Sequence, residues 1–206
     1  MTIVREASLD DPVVDESEIT LVARARRGDP AAWNELVRNH QEHIFRLAYL
    51  VLRDAAEAED VAQEAFVRAF LSLDSFDSER PLRPWLTRIA VNLARNRRRA
   101  LGRYLNQLRR LFSDEPEPER TNAGPENAVQ SHWQANDLWT AVQRLSPIRQ
   151  EVVYLRYFLA MPEADMAEAL EVPKGTIKSR LHRALAELRR IIEDDFPELR
   201  DHFEEE

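Results

Sequence analysis

The sequence predicts an all-α protein built from two small helical domains, and three observations lead to this prediction. Apolar residues recur at spacings of three, four and seven along most of the chain. No segment alternates apolar and polar residues for long enough to predict a β-strand. An acidic segment rich in proline and poor in apolar residues, at 113–132, separates two helical stretches. We therefore expect a helical bundle and a helix-turn-helix unit joined by a flexible acidic linker.

The first predicted domain, at 21–112, contains helices at about 30–52, 55–72 and 85–99. Asp29 followed by Pro30 places a capping carboxylate before a first-turn proline. Asp54 followed by Glu57 resembles a capping box. Short loops between these helices predict a compact bundle.

The second predicted domain, at 133–192, contains helices at about 138–145, 147–158, 163–170 and 174–192. Ser146 before Pro147 is typical of a helix start. A break at 171–173 separates the last two helices, which predicts a helix-turn-helix.

Composition excludes several classes of protein. The chain has no cysteine, which removes disulfides, thiolate nucleophiles and cysteine metal sites, and its four glycines leave no room for a GxGxxG motif or a P-loop. No apolar run approaches the roughly 18–20 residues of a membrane span, and no secretion signal opens the chain. We expect a cytoplasmic protein without membrane insertion.

The formal net charge of −8 is unevenly distributed. In chain order the segments carry −5 (1–20), +6 (21–110), −5 (111–143), +3 (144–190) and −7 (191–206). A phosphate backbone responds to charge within about 8–10 Å, so the acidic total does not exclude a nucleic-acid ligand. The acidic ends, 1–20 and 193–206, are expected to be disordered tails.

Side chains for metal binding or catalysis are sparse. His40 and His43 share a helix face, but neither belongs to an HExxH motif, and no histidine follows a glutamate at the spacing of di-iron bundles. Glu57, Asp60 and Glu64 form an acidic stripe without a histidine. We expect no catalytic site, metal or cofactor, and a stripe that faces solvent or a partner. A helical metalloprotein using the two histidines remains an alternative.

The third predicted helix carries a basic, amide-bearing face. Arg88, Asn92, Arg95 and Arg99 stand at i, i+4, i+7 and i+11, whereas Trp85, Ile89 and Leu93 occupy another face. Such a helix can pack on its bundle while it presents guanidinium and amide groups to a nucleic acid. The preceding loop adds Ser75, Phe76 and Arg80, with an aromatic ring where an unstacked base can lodge.

The last predicted helix begins with a cluster of hydrogen-bond donors. Both lysines of the chain lie in this cluster, which consists of Lys174, Thr176, Lys178, Ser179, Arg180 and Arg183. The inward-facing positions are expected to be Ile177, Leu181 and Leu185. A helix-turn-helix inserts this end of its recognition helix into the major groove of DNA.

Two blocks together resemble a known family. The first block resembles region 2 of the sigma-70 family, in its extracytoplasmic-function (ECF) group, at residues 60–70, 73–76 and 85–92. The second block resembles region 4 of the same group at residues 172–183, together with Leu145-Ser146 and Leu155-Arg156. The resemblance covers about 22–100 and 136–192. It implies a non-enzymatic, dissociable subunit of bacterial RNA polymerase that recognises the minus-35 and minus-10 promoter elements and promotes DNA melting.

The resemblance also implies a role for each set of residues. The core-binding set, which would dock on the clamp helices of the largest polymerase subunit, is Asp60, Gln63, Glu64 and Phe66. The minus-10 set is Ser75, Phe76, Arg80, Arg88, Asn92, Arg95, Asn96 and Arg99. The minus-35 set is the donor cluster at 174–183. The polymerase flap region and an anti-sigma protein are further implied partners, although no residue identifies the latter.

The sequence departs from the family pattern just before the third helix of the second domain, and it leaves a second alternative function open. Ala160-Met161-Pro162 stands where a Gly-hydrophobe-Ser stretch is usual, so a capping hydroxyl is absent, and Glu163 replaces an aromatic residue. This alternative is a stand-alone helix-turn-helix regulator, which would account for the second block but not for the function of the first.

Overall fold

The computed structural model describes residues 16–111 and 131–196. Its α-helices are α1 (Glu16–Arg26), α2 (Pro30–Leu52), α3 (Ala55–Ser72), α4 (Leu82–Leu111), α5 (Ser131–Arg144), α6 (Pro147–Val153), α7 (Glu163–Ala169) and α8 (Lys174–Asp195). A 3-10 turn at Leu73–Ser75 follows α3, and a π-helical turn at Tyr154–Phe158 continues α6. These ranges contain no β-strand, and the predicted all-α class is confirmed.

The described residues form two compact units. Among these residues, the first unit combines 16–98 with Tyr154–Ser179, and the second combines 99–111 and 131–153 with 180–196. This division differs from the predicted domains at 21–112 and 133–192, because 154–179 packs with the helices of the N-terminal part. Most of the predicted linker at 113–132 lies outside the described residues.

Helix α1 differs from the disordered tail predicted over 1–20 in its last five residues, whereas residues 1–15 of that tail lie outside the described residues. The helix begins at Glu16, and it buries Leu21, Val22 and Ala25. The acidic composition of this segment concealed the apolar spacing that starts within it. At the other end of the chain, α8 runs to Asp195 and so extends into the segment predicted as the tail 193–206, of which residues 197–206 lie outside the described residues.

One carboxylate of α1 joins two other helices. Glu18 Oε1 lies 2.8 Å from His40 Nε2 of α2, and Glu18 Oε2 accepts a hydrogen bond of 3.0 Å from the backbone N–H of Leu82. Leu82 is the first residue of α4, so Glu18 satisfies one of the N–H groups that a helix start leaves unpaired. A residue distant in sequence thus fixes where the basic helix begins.

The N-caps predicted for α2 and α3 are confirmed. The side chain of Asp29 accepts from the backbone N–H groups of Ala31 and Ala32, and Asp54 Oδ1 accepts from the N–H of Glu57 at 2.9 Å. These bonds are typical of helix N-caps and stabilise each helix by about 0.5–2 kcal/mol.

A half-buried histidine links α2 to α4. Arg83 Nη2 donates to His43 Nδ1 at 3.0 Å, and since a guanidinium only donates, the ring hydrogen lies on Nε2, 2.9 Å from Thr87 Oγ1. The Thr87 hydroxyl in turn donates to the backbone carbonyl of Arg83 at 2.7 Å. Burial, followed by the positive charge of Arg83, lowers the pKa of His43 to about 3.

The segment 154–179 contains two residues in the left-handed region that favours glycine. Ala160 has φ of 50°, and it stands where the family resemblance suggested a glycine. Pro162 caps α7 without a side-chain hydrogen bond, as the missing hydroxyl predicted. Glu171 has φ of 54° and closes α7, because the N–H groups of Glu171 and Val172 bond the carbonyls of Glu168 and Ala167, respectively.

The second unit contains its own buried apolar residues, which among the described residues are Ala141, Val142, Leu145, Val152, Val153, Leu181, Ala184 and Leu188. Leu185, predicted to face inward, is 41% exposed. A helix turns by about 100° per residue. Ala184, seven residues after Ile177, therefore returns to nearly the same face as Ile177, whereas Leu185, eight residues after it, is rotated away from that face by about 80°. Ala184 therefore occupies the inward position that the four-residue spacing had assigned to Leu185.

The histidine link predicts a specific pH dependence of stability. The folded pKa of His43 is about 3, below its ordinary 6.5, so the unfolded chain binds more protons between these values and stability is lost as the pH falls below about 6.5. Between pH 7 and pH 5 this group alone should lower the free energy of unfolding by about 2 kcal/mol. Urea unfolding of the wild type and His43→Gln at both pH values measures it. Equal losses in the two proteins would contradict the assignment.

Candidate nucleic-acid interface

The surface of α4 carries most of the predicted minus-10 set. Asn92 and Asn96 are exposed and one turn apart, and Arg88 and Arg95 are partly exposed on the same helix. Arg99 is exposed and continues this face one residue beyond the first unit. The helix therefore presents amide and guanidinium groups along one side, as the spacing predicted.

The loop before α4 differs from its prediction at one residue. Phe76, expected to offer its ring to a base, is 6% exposed and packs on Trp85 with ring centroids 4.9 Å apart. It is buried because the loop turns back at the 3-10 turn and inserts this ring into the core. Ser75 and Arg80 remain exposed, and the Ser75 hydroxyl donates to the carbonyl of Ser72 at 2.7 Å.

A residue that sequence reasoning missed holds this loop in place. Arg26, in the last turn of α1, donates from Nε to the carbonyl of Leu73 at 3.1 Å and from Nη2 to the carbonyl of Phe76. The only sequence signal is a pair of arginines, Arg24 and Arg26, in the last turn of a helix that had not been predicted. The loop is thus fixed by α1 as well as by its own aromatic contact.

Two arginines of the minus-10 set pair with carboxylates of the first unit. Arg88 Nη1 lies 3.1 Å from Glu171 Oε1, and Arg80 Nη1 lies 3.6 Å from Glu168 Oε1. Arg80 Nε also lies 3.4 Å from Asp77 Oδ2. Both guanidinium groups therefore have protein partners in this structure.

Two neighbouring arginines bond backbone carbonyls at the end of the π-helical turn. Arg83 Nη2 donates to the carbonyl of Leu159 at 2.5 Å, and Arg46 Nη2 donates to that of Phe158 at 3.2 Å. Burial lowers the pKa of Arg83, while it raises the pKa of the half-buried Asp165 against the opposing effect of Arg83. Cations at the end of a helical segment satisfy carbonyls that have no helical partner.

The predicted core-binding set lies on α3. Asp60, Gln63 and Glu64 are exposed, and Phe66 is partly exposed with its ring edge-on to Trp33 at 6.4 Å. The acidic stripe is also tied to α4. Arg97 pairs with Glu57 and, at 3.2 Å, with Asp60, and the hydrogen bond to Glu57 raises the pKa of Arg97.

An exposed apolar strip continues the same helix, and the sequence analysis did not single it out. Val67, Phe70 and Leu71 are 58%, 51% and 77% exposed, at the i, i+3, i+4 spacing of one helix face. Phe70 also packs edge-on against Trp33, at 5.2 Å. An exposed apolar face beside charged residues is typical of a protein-binding surface.

The predicted minus-35 set begins the recognition helix α8. Lys174, Lys178 and Arg183 are exposed, and Thr176, Ser179 and Arg180 are partly exposed. Pro173 precedes the helix, and its carbonyl accepts from the N–H of Thr176 at 2.8 Å. The Ser179 hydroxyl donates to the Thr176 carbonyl at 3.0 Å, so it offers a ligand only its lone pairs. Donors thus cluster in the first turns, as predicted.

The two histidines considered as metal ligands have protein partners instead. His40 bonds Glu18, and both ring nitrogens of His43 are occupied by Arg83 and Thr87. Across 16–111 and 131–196, no group of three or more His, Asp or Glu side chains is arranged to hold a metal ion. Within the same ranges, none of the helices has the length and apolar character needed to cross a membrane.

Comparison with known proteins identifies both blocks. The family described as Sigma-70 region 2 matches residues 36–104, and that described as Sigma-70, region 4 matches residues 135–188. The ECF RNA polymerase sigma factor SigW of Bacillus subtilis is 31% identical over 185 residues, which cover 84% of this chain and 95% of SigW. The RNA polymerase sigma-H factor of Pseudomonas aeruginosa is 33% identical over 177 residues, which cover 84% and 92%.

A solved structure has a similar fold. The sigma factor RpoE from Bartonella quintana, solved in complex with the anti-sigma factor NepR, aligns with a TM-score of 0.60 and 22% identity over 79% of this chain and 97% of RpoE. A stand-alone helix-turn-helix regulator is not favoured, because region 2 is matched as well as region 4. With both regions present in order and relatives similar over nearly their whole length, the chain belongs to the ECF group of the sigma-70 family and is an RNA polymerase sigma factor.

Proposed function

We propose that three helices of this sigma factor each bind a different part of the transcription complex. Helix α3 docks on core RNA polymerase, α4 and its preceding loop hold the melted strand of the minus-10 element, and the start of α8 reads the minus-35 duplex. The observation that carries this proposal is the distribution of charge. A chain of net charge −8 concentrates cations on two helix surfaces, and each surface lies within one matched region.

Helix α4 offers the chemistry that a single strand requires. Asn92 and Asn96 provide both donors and acceptors to unpaired base edges, while Arg95 and Arg99 provide charge for the phosphates. Holding an unpaired base offsets an unstacking cost of about a few kcal/mol, so strand capture favours melting. Phe76 has a positioning role here, because its buried ring fixes the loop that carries Ser75 and Arg80.

The first turns of α8 offer donors to a duplex. Lys174 and Lys178 suit phosphate contacts, whereas the planar forks of Arg180 and Arg183 suit base edges or bidentate phosphate contacts. The N-terminus of a helix also carries partial positive charge, which favours approach to a phosphate.

Two surfaces of α3 suit a helical partner on core polymerase. The acidic stripe suits a basic partner. Binding at the apolar strip would remove the exposed side chains of Val67, Phe70 and Leu71 from water, which favours association. The family resemblance names the clamp helices of the largest subunit as this partner, with the flap region as a second contact.

The remaining assignments follow from the family. We assign the protein no enzymatic activity of its own, and we place it in the cytoplasm, where core polymerase acts. An anti-sigma protein is a further proposed partner, since the Bartonella relative of similar fold is described in complex with one.

The minus-35 assignment predicts a loss at one arginine. Arg180→Ala should weaken holoenzyme binding to promoter duplex by about 1–3 kcal/mol, because a base-edge or phosphate contact is removed. The measurement is the dissociation constant for promoters selected from a random library with reconstituted holoenzyme. Arg189→Ala, further along α8 and with an 82% exposed side chain, is the matched control. Equal effects of the two substitutions would refute a specific role for Arg180.

The minus-10 assignment predicts a defect in melting. Asn92→Ala combined with Asn96→Ala should reduce the open-complex fraction about tenfold or more, because two contacts to the unpaired strand are lost. Permanganate reactivity of thymines reports the open fraction, and closed-complex binding at low temperature serves as the control. A loss of closed-complex binding without a melting defect would argue against this assignment.

The core-docking assignment predicts a loss of holoenzyme formation. Leu71→Asp places a charge on a side chain that is 77% exposed, so the fold should tolerate it, whereas an apolar contact with core polymerase should not. We expect at least about a tenfold weaker affinity for core in a fluorescence titration. Tyr104→Asp, at an apolar residue of α4 that is 61% exposed, is the control. Unchanged affinity for Leu71→Asp would exclude the apolar strip from the interface.

A further inference from the structure

We propose that α1 positions the loop between α3 and α4, residues 73–81, for capture of the minus-10 strand. Arg26 and Glu18 are the positioning residues, and each holds one end of this loop through hydrogen bonds to backbone groups. The inference rests on the proposed function, in which this loop and α4 hold the melted strand. It adds a role for a helix that precedes the matched region 2, which begins at residue 36.

Both ends of the loop are bonded to the same helix. At the start of the loop, Arg26 donates from Nε to the carbonyl of Leu73 at 3.1 Å and from Nη2 to the carbonyl of Phe76. At its end, Glu18 Oε2 accepts from the N–H of Leu82 at 3.0 Å. Glu18 and Arg26 are eight residues apart, which is about 12 Å along a helix axis. A helix of fixed length therefore sets the separation of the two loop ends.

Helix α1 is itself held on the bundle, so it can serve as a fixed support. Leu21, Val22 and Ala25 are buried and fix one face of α1. The second oxygen of the Glu18 carboxylate, Oε1, lies 2.8 Å from Nε2 of His40, a buried side chain of α2. Because both oxygens of this carboxylate are bonded, its position at the first turn of α4 is constrained.

The contacts that α1 makes with the loop are to backbone atoms, so they fix the loop and leave its side chains for a ligand. Ser75 and Arg80, which the proposed function gives to the strand, remain exposed. A loop that is already ordered binds its ligand with a smaller loss of conformational entropy. We therefore expect Arg26 and Glu18 to change how tightly the strand is held, by a similar factor on every promoter sequence.

The first test measures binding of reconstituted holoenzyme to a fluorescein-labelled 12-nucleotide strand. This strand is the non-template segment that becomes permanganate-reactive in a promoter selected from a random library. R26A should bind it about fivefold more weakly than the wild type, because the start of the loop loses both bonds to α1. R27A removes the same charge from the exposed next residue and should change the affinity less than about twofold. Equal losses in R26A and R27A would overturn the proposal.

Two further affinities of R26A distinguish positioning of the loop from general loss of the fold. The affinities for core polymerase and for the minus-35 duplex should stay within about twofold of the wild type, because the proposed surfaces for both lie on α3 and α8, outside this loop. A parallel loss of all three affinities would assign Arg26 to the stability of the fold and reject the positioning role.

Variants of Glu18 test the other end of the loop. E18Q keeps an oxygen that can accept from the N–H of Leu82, so it should bind the strand within about twofold of the wild type, whereas E18A should bind at least about threefold more weakly. E35A removes the same charge from an exposed residue of α2 and is the control. Wild-type binding by E18A, or equal losses in E18A and E18Q, would refute the role of Glu18.

The variant N92A/N96A separates failure of this inference from failure of the proposed function. It should weaken binding of the same strand several-fold, because it removes two proposed strand contacts of α4. If both N92A/N96A and R26A bind like the wild type, the assignment of the strand to α4 and its loop fails. If N92A/N96A binds weakly and R26A binds like the wild type, only the positioning role of α1 is rejected.

A dye on the loop measures its order directly. The chain has no cysteine, so Asp74→Cys provides a single labelling site at an exposed residue of the loop. The fluorescence anisotropy of the dye should be lower in R26A than in the otherwise wild-type chain, because a loop end released from α1 moves on the nanosecond timescale. It should be unchanged in R27A. Equal anisotropy with and without the Arg26 side chain would contradict the proposal.

Discussion

The guanidinium of Arg83 bonds two other segments of the first unit and so constrains the start of α4. It donates to His43 of α2 and to the carbonyl of Leu159, while it belongs to the first turn of α4. Because a guanidinium has no acceptor, its position fixes the tautomer of His43 and, through it, the hydrogen bond to Thr87. Three chain segments that are far apart in sequence therefore share one cation, and the surface of α4 is oriented by it.

Helix positions were largely predictable from the sequence because their signals are local. The caps at Asp29 and Asp54 and the apolar spacing gave the bounds of α2 and α3. The spacing of Arg88, Asn92, Arg95 and Arg99 placed them on one side of α4. Where local signals were weak or misread, the prediction differed: acidic composition concealed α1, and a strict four-residue spacing assigned Leu185 to the interior.

The long-range contacts were not predictable, because no spacing along the chain encodes them. Glu18 caps α4 across 64 residues, and Arg26 holds a loop that lies about 50 residues away. For the same reason, the sequence suggested an available ring at Phe76. An aromatic residue between polar neighbours looks exposed, and only the turn at Leu73–Ser75 brings the ring onto Trp85. The residues that position the candidate site are thus less evident in the sequence than those that form it.

The acidic residues of this protein have a physical reason to lie near its cationic helices. Arginines that lie close together on one helix repel one another, and nearby carboxylates reduce that repulsion. Arg97 pairs with Glu57 and Asp60 on one side of α4, and Arg88 pairs with Glu171 on another. Such pairing reduces the repulsion among the arginines of α4 in the unbound protein. The DNA strand that we propose as the ligand of α4 would have to replace several ion pairs together, which favours a strand held at many points over isolated phosphate contacts.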